Sequence, residues 1–346
     1  MQWQSVLSQQ SNCEAALNEC LALCRDFPGP VDLAFVFIHS SFSKEAQTIV
    51  NRLWRQLQPK ALWGCTGGGV IGNGTEVETS PAISLTLAQL PGVEVHSFHL
   101  DDDDLPSPDA APDAWREALS LPPSMSTGEK PYFLLLADPF DFELESFLQG
   151  LDYAYPRSLK LGGLASDARS PGGNRLFVQD QSFNRGLVGL ALTGNLRLDA
   201  VVAQGCRPIG EPMMVTQGER NVILQIDGRP PLEKLEHTLK ALSKRERTLA
   251  ENSLFIGIRG QSDVSLQSIL GGPEVPDSSA YVIRNLVGLD PRKGALVLAS
   301  PVRAGQTIQF HLRDARSSAQ DLHASLEDYQ RQGVQPRGGL LFSCLG

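Results

Sequence analysis

The sequence predicts an α+β protein: two α/β domains with largely antiparallel sheets and flanking helices, for which a pseudo-duplicated sandwich is one arrangement. Three observations lead there. Short strand candidates dominate, and several are joined by tight turns such as Pro91-Gly92 and Asp227-Gly228. Helical stretches fall between groups of strands. Both halves hold a helix, several strands and a glycine-containing strand exit, although no short repeat of residues is visible. At 346 residues the chain is long enough for two domains.

Each element has its own signal. Residues 8–26 read as a helix on the apolar positions Ala15, Ala16, Leu17, Cys20, Leu21 and Leu23, ended by Pro28-Gly29-Pro30. Residues 33–38 follow as a strand, 43–57 as a helix, and 61–65 as a strand running into a glycine-rich loop. Residues 83–88 and 93–98 alternate as strands. The Asp101–Asp104 run and three prolines make 101–113 a solvated loop, without the glycine and incoming glutamate of a calcium loop. Residues 132–137 are a buried strand, 142–151 a helix, and 160–165, 175–178, 186–192 and 198–204 further strands. Prolines and glycines at 208–218 mark a domain boundary. The second domain opens with a strand at 222–226, and 231–249 reads as one helix with Pro231 in its first turn. Strands at 253–258, 281–284, 295–298 and 307–312 lead to a helix at 318–331, entered through Ser317 or Ser318. The division is an N-terminal helix over 1–29, one domain over 30–212 and another over 213–346.

Composition narrows the function. Hydrophobic content of 41% with 20% charged residues suits a soluble globular chain. A net charge of −9 excludes a general nucleic-acid binder, and the basic cluster Lys244-Arg245-Glu246-Arg247 reads as a solvated helix face. Neither a signal peptide nor an apolar run of the ~20 residues needed to span a membrane is present. Six cysteines without a compact spacing framework fit reduced thiols in a cytoplasm. Cys13, Cys20 and Cys24 would share one helix face. They lie over about 16 Å of helical rise, too spread to wrap a metal, and read as core residues.

A set of distinct motifs follows along the chain in a definite order. They are Gly64-Cys-Thr-Gly-Gly-Gly-Val-Ile-Gly72, Gly162-Gly-Leu-Ala-Ser166, Asn184-Arg-Gly-Leu-Val-Gly-Leu-Ala191 and Gly205-Cys-Arg-Pro-Ile-Gly210. Tyr281-Val-Ile-Arg-Asn285, Gly288-Leu-Asp290-Pro291-x-x-Gly294 and Gly305-x-x-x-x-Phe310-His-Leu-Arg313-Asp314 follow. Over roughly residues 30–346 the chain resembles the FIST family, N-terminal plus C-terminal FIST domains, which are small-ligand sensory domains of signal-transduction proteins and some F-box proteins. The resemblance implies ligand sensing, with amino acids or their derivatives as proposed ligands, and no settled reaction. It also implies an additional segment after Phe342-Ser-Cys344-x-Gly346, where this chain stops.

Several of these residues carry usable chemistry. The Gly64–Gly72 loop has five glycines in nine residues, so its N–H groups can approach a carboxylate or phosphate, or it is a tight turn with close sheet packing. It lacks the Gly-Lys-Ser/Thr of a P-loop and the order of a dinucleotide fingerprint. Cys65 at the strand exit is either a nucleophile or a small buried residue, Cys206 shares that ambiguity, and Cys344 closes a strand-like run at 340–344 whose end could face a pocket. Gly162, Gly163, Ser166 and Asp167 form a second loop able to serve the same pocket or merely to turn the chain. Arg284 and Arg313 close apolar strand candidates, beside Asn285 and on the face of His311 respectively. An arginine so placed calls for an anion, either a ligand carboxylate or an internal partner, Asp290 or Asp314.

The combined reading is a cytoplasmic, non-catalytic ligand-sensing protein that binds a small carboxylate-bearing metabolite, such as an amino acid, between loops of both domains. The candidate ligand-binding residues are Cys65, Thr66, Gly67, Gly68, Gly162, Gly163, Ser166, Arg284, Asn285, His311 and Arg313. No catalytic residue, metal or cofactor is assigned. The signal needs an output protein, and neither nucleic acid nor membrane is a partner. A cysteine-dependent hydrolase or transferase using Cys65 or Cys344, and a structural adaptor, are the alternatives.

Overall fold

The computed structural model describes residues 1–127, 130–259 and 281–343. It divides into two compact units, Met1–Asp199 with Pro336–Gly346, and Ala200–Gln335. Strand exceeds helix and most ladders are antiparallel, so the chain is α+β. Among the described residues, no helix is long and apolar enough to cross a membrane.

The first unit contains one topology twice. The first copy runs β1 (Gln2–Ser8), α1 (Cys13–Leu23), β2 (Leu33–His39), α2 (Ala46–Leu57), β3 (Ala61–Gly67), a hairpin of β4 (Val70–Gly72) and β5 (Thr75–Val77), then β6 (Ile83–Gln89). The second runs β7 (Val93–Leu100), α3 (Pro112–Ala118) with the short α4 (Pro123–Thr127), β8 (Tyr132–Ala137), α5 (Leu144–Ala154), β9 (Lys160–Leu164), a hairpin of β10 (Leu176–Val178) and β11 (Gln181–Phe183), then β12 (Leu187–Gly194). The strand orders correspond, β1-β6-β2-β3 and β7-β12-β8-β9, with β10–β11 extending the first sheet past β3. In each copy the pair joined by a crossover helix is parallel and the rest is antiparallel, as connection length requires.

Alternating apolar faces stack these elements in four layers. Ala34, Val36 and Ile38 of β2 pack with Ala16, Leu17, Ile49 and Leu53 of α1 and α2. Leu33, Phe35 and Trp63 on the other face meet Leu134, Leu136, Val188 and Leu190 of the second sheet. Phe133 and Leu135 face Trp115, Phe147 and Leu151 beyond it. Trp63 Nε1 donates to the Val188 carbonyl at 3.2 Å, tying the sheets. Strands buried on both faces read as continuous apolar runs, which is why β2 and β8 are visible in the sequence.

In the second unit, β13 (Cys206–Glu219), β14 (Val222–Ile226), β15 (Leu254–Arg259), β16 (Tyr281–Asp290), β17 (Ala295–Leu298) and β18 (Thr307–Arg313) close an antiparallel barrel in the order β13-β14-β17-β16-β15-β18. Val215, Ile223, Ile256, Leu296, Ile308 and Phe310 fill it, and α6 (Pro231–Ala241) and α7 (Lys244–Ser253) add Leu235 and Ala250. The last helix is α8 (Ala315–Arg331).

Several element boundaries differ from the sequence expectation, each for a local reason. The first helix begins only at Cys13, where the Asn12 side chain accepts from Ala15 N–H at 3.1 Å, and residues 2–8 are a strand paired with β6. Residues 198–204 form no strand, whereas 206–219 do despite Pro208 and Pro212. Residues 206–214 pair with β18 alone, and the register shifts between Ile209 and Met213, so the prolines cost few ladder bonds. The helix expected at 231–249 is two, because Ser243 and Glu246 cap each other and start a new one. Asp314, not Ser317 or Ser318, caps α8. The strand bearing Arg284 runs on to Asp290. Residues 340–343 lie in no strand, and Cys344 is outside the described residues.

Candidate functional site

The two glycine motifs turn out to be one position in the two copies. Val36 of β2 is level with Gly64 of β3, and Leu135 of β8 with Gly162 of β9. A Cβ on Gly64 would lie 1.7 Å from the Val36 carbonyl oxygen; one on Gly162 would lie 1.7 Å from that of Leu135. Only glycine lets the parallel strands approach this closely. Counting onward, Gly67 matches Ala165, Gly68 matches Ser166, and Gly69 matches Asp167.

These matched exits meet. Gly68 N–H donates to Ser166 Oγ at 3.2 Å, and Ser43 Oγ, ahead of α2, donates to Asp167 Oδ2. The neighbouring strands end alike. His39 follows β2's apolar run and Asp138 follows β8, both buried. His39 Nδ1 accepts from Ser41 N–H at 3.2 Å, which leaves Nε2 to donate to the Glu78 carbonyl at 3.2 Å. Asp138 Oδ1 accepts from Phe140 N–H at 2.8 Å, and its Oδ2 accepts from buried Asn174 at 2.9 Å. Asn174 in turn accepts from Ala168 N–H, which shapes the Ser166 loop. Thr66 and Arg175 complete the floor: Thr66 Oγ1 accepts Arg175 N–H at 2.9 Å, and Arg175 Nη1 donates to the carbonyls of Gly172 and Asn174.

Of the sequence candidates in this unit, Thr66 and Gly67 are buried in the floor, while Gly68 and Ser166 stand at the rim. Gly163 lies against Phe342, whose ring edge is 3.5 Å from where a Cβ would stand. Cys65 is a core residue. It is 6% exposed, among Leu176, Ala165 and Trp63, and burial with the nearby Asp167 charge pushes its thiol up to about 12. A thiol held that far from ionisation is a poor nucleophile. His39, Ser43, Asp138, Asn174 and Arg175 escape sequence reasoning as site residues. They lie on three segments, 39–43, 138 and 174–175, each beside the end of a paired strand, which spacing does not reveal.

The barrel carries the other four candidates, and its register separates them. Phe255 of β15 pairs with both Asn285 and His311, whereas Ile256 pairs with Arg284 and Phe310. Directly paired residues share a face, so Arg284 projects opposite Asn285, His311 and Arg313. The two arginines therefore do not converge on one anion. His311 is 1% exposed, its Nδ1 is 3.0 Å from the Gln309 carbonyl, and burial lowers its pKa. Gly257 makes room for it, since a Cβ there would be 2.5 Å from the ring. Arg313 lies 4.6 Å over the Phe255 ring and donates to Cys206 Sγ and the Gln204 carbonyl, both at 3.4 Å. Neither proposed counter-charge serves it. Asp290 accepts from Arg292 and Lys293 N–H in its turn, and Asp314 caps α8. Among the described residues, no group of three or more His, Cys, Asp or Glu is gathered to hold a metal.

The family models for the FIST N domain and the FIST C domain match residues 32–229 and 231–346, and the chain belongs to the FIST family. FIST domains are associated with sensory signal transduction. The uncharacterized protein Rv0628c of Mycobacterium tuberculosis is 33% identical over 319 residues, 92% of this chain and 78% of that one. The uncharacterized protein Mb0898c of Mycobacterium bovis is 31% identical over 315 residues, 91% of this chain and 76% of its own.

Proposed function

We propose that this is a cytoplasmic sensory protein whose first unit binds a small amino acid or close derivative at the paired strand exits. The observation that carries the reading is the meeting of two equivalent exits with unlike chemistry: the glycine loop at 67–69 on one, whose Gly68 N–H donates to Ser166 Oγ when no ligand is bound, and the Asp167 carboxylate on the other. A zwitterion needs both, backbone donors for its carboxylate and an anion for its ammonium. Ligands of sheets with parallel strands gather outside the strands' carboxyl ends. The ligand acts as a signal to the extent that it binds one arrangement of the protein better than another, and an output partner reads the shift.

Calorimetry and thermal unfolding with amino acids and their matched keto acids test this. A ligand at 100 times its dissociation constant stabilises by about 2.7 kcal/mol. Asp167→Asn should weaken amino-acid binding at least tenfold and leave keto-acid binding little changed. A panel that shifts nothing at millimolar concentration sinks the reading, as does equal loss of both ligand classes in the variant.

A further inference from the structure

A groove of about 680 Å³ opens on the second unit between α7 and the first turn of α8, with Arg207 of β13 also lining it. That is the size of a small-molecule site, roughly 300–1,000 Å³. Arg207, Arg245 and Arg316 reach it from three elements, together with the carboxylates Glu246 and Asp314. Both carboxylates are already engaged. Glu246 accepts from Ser243 N–H at 2.9 Å, Ser243 Oγ at 2.7 Å and Arg207 Nη2 at 2.8 Å, and these bonds hold its carboxyl down to about 2. Asp314 accepts from Ser317 N–H at 2.8 Å and lies 3.7 Å from Arg207 Nε.

Arg207 is thus answered twice, whereas Arg245 and Arg316 are not. Both are exposed, and among the described residues neither guanidinium has an ion pair or hydrogen bond. They occupy the first turns of α7 and α8, where the helix dipole disfavours a cation. In a chain of net charge −9, two unanswered guanidiniums at one groove, each set against its own helix, form an arrangement that an anion relieves. The helix N–H groups are not the donors, because Ser243 and Asp314 already cap them.

We propose that this groove binds a phosphate-bearing small molecule, its dianionic group clamped by Arg245 and Arg316 and its body laid along Leu249 and Asn252. A phosphate offers three acceptor oxygens, enough for two guanidinium forks at once; a single carboxylate offers two. The site is independent of the amino-acid reading of the first unit. The sequence alone leaves Arg245 on a solvated helix face, because nothing in the spacing links positions 207, 245 and 316.

The test is calorimetry of the full chain with pyrophosphate and adenosine monophosphate, with succinate as a dicarboxylate control. Binding of either phosphate probe should fall at least tenfold in the Arg245→Ala, Arg316→Ala double variant. Unfolding without ligand should be unchanged or slightly harder, since both side chains are exposed and each opposes its helix dipole. Absence of binding by both phosphate probes at millimolar concentration overturns the proposal. So does equal affinity in the double variant, or succinate binding as tightly as pyrophosphate.

Discussion

His39 and Asp138 stand at the same place in the two copies of the first unit, one residue past Ile38 and Ala137. Each is buried, and each side chain accepts the N–H two residues on. The backbone N–H groups of both also bond to the carbonyl just ahead of the last strand of their copy, Ala82 and Gly186. An imidazole and a carboxylate thus do the same turning work, and they differ in what else they hold. His39 donates onward to a carbonyl, whereas Asp138 receives a second donor, Asn174, and through it the Ser166 loop. The repeat lies in backbone geometry and hydrogen-bond sign, and side-chain identity is free wherever a different atom does the same job. Gly64 and Gly162 are the exception, because nothing larger than hydrogen fits.

The equivalence breaks most visibly at those glycines. Gly64→Val and Gly162→Val each drive a side chain into the neighbouring strand's backbone, so each should cost about 4 kcal/mol or prevent folding. Gly74→Ala, at a left-handed turn with open space around it, should cost about 1 kcal/mol. Urea midpoints of the three compare them directly, and a mild Gly162→Val would show that the second parallel pair is not built like the first.

The polar pair should separate by a smaller margin. Asp138→Ala strands the Phe140 N–H and the buried Asn174 amide, for about 3 kcal/mol, while His39→Ala should cost about 1.5 kcal/mol. Asp138→Ala should also loosen the Ser166 loop, visible as faster amide exchange at Ala168. Equal costs with no change at Ala168 would mean the loop is held by something else.

Acid gives the finest discrimination. The first copy enters β2 through buried Asp32, where the second enters β8 through Pro131. Burial raises the Asp32 pKa, but Lys60 at 2.7 Å and Leu90 N–H at 2.6 Å outweigh it and leave the carboxyl below its ordinary value. A lowered folded pKa contributes stability that is full above the ordinary carboxylate range, about pH 4, and is lost as pH falls through the folded value. Asp32→Asn should therefore flatten the acid limb of a stability–pH curve below about pH 4. An unchanged limb would remove Asp32 from acid unfolding.

The fold was legible where one physical signal dominated. The double-faced apolar runs at 33–38 and 132–137 announced buried strands. The Ser243-x-x-Glu246 capping box was also there to be read, and the helical period at 231–249 masked it. β13 was hidden by Pro208 and Pro212, which argue against a strand until the barrel supplies a partner on one side only. For the site, the glycine motifs stood out, but not that they were one motif twice. Arg284 and Arg313 looked alike as arginines in apolar strands, and the register that sets them on opposite faces follows from β15, whose pairing no local pattern fixes.

The chain leaves the first unit at Asp199 and re-enters it at Pro336. Leu340 then packs into the inter-sheet core, and the ring of Trp3 fills the space a side chain at Gly338 would need. The first strand is therefore covered by residues from the far end of the chain. On the ribosome this unit emerges unfinished and must wait for the whole barrel, roughly 7–30 s at ordinary elongation rates. During that interval the Trp3 ring lacks the cover of Gly338 and the inter-sheet core lacks Leu340, so apolar surface stays open to water. Speed of translation through residues 200–335 then bears on yield, although those residues build a different core from the one they delay.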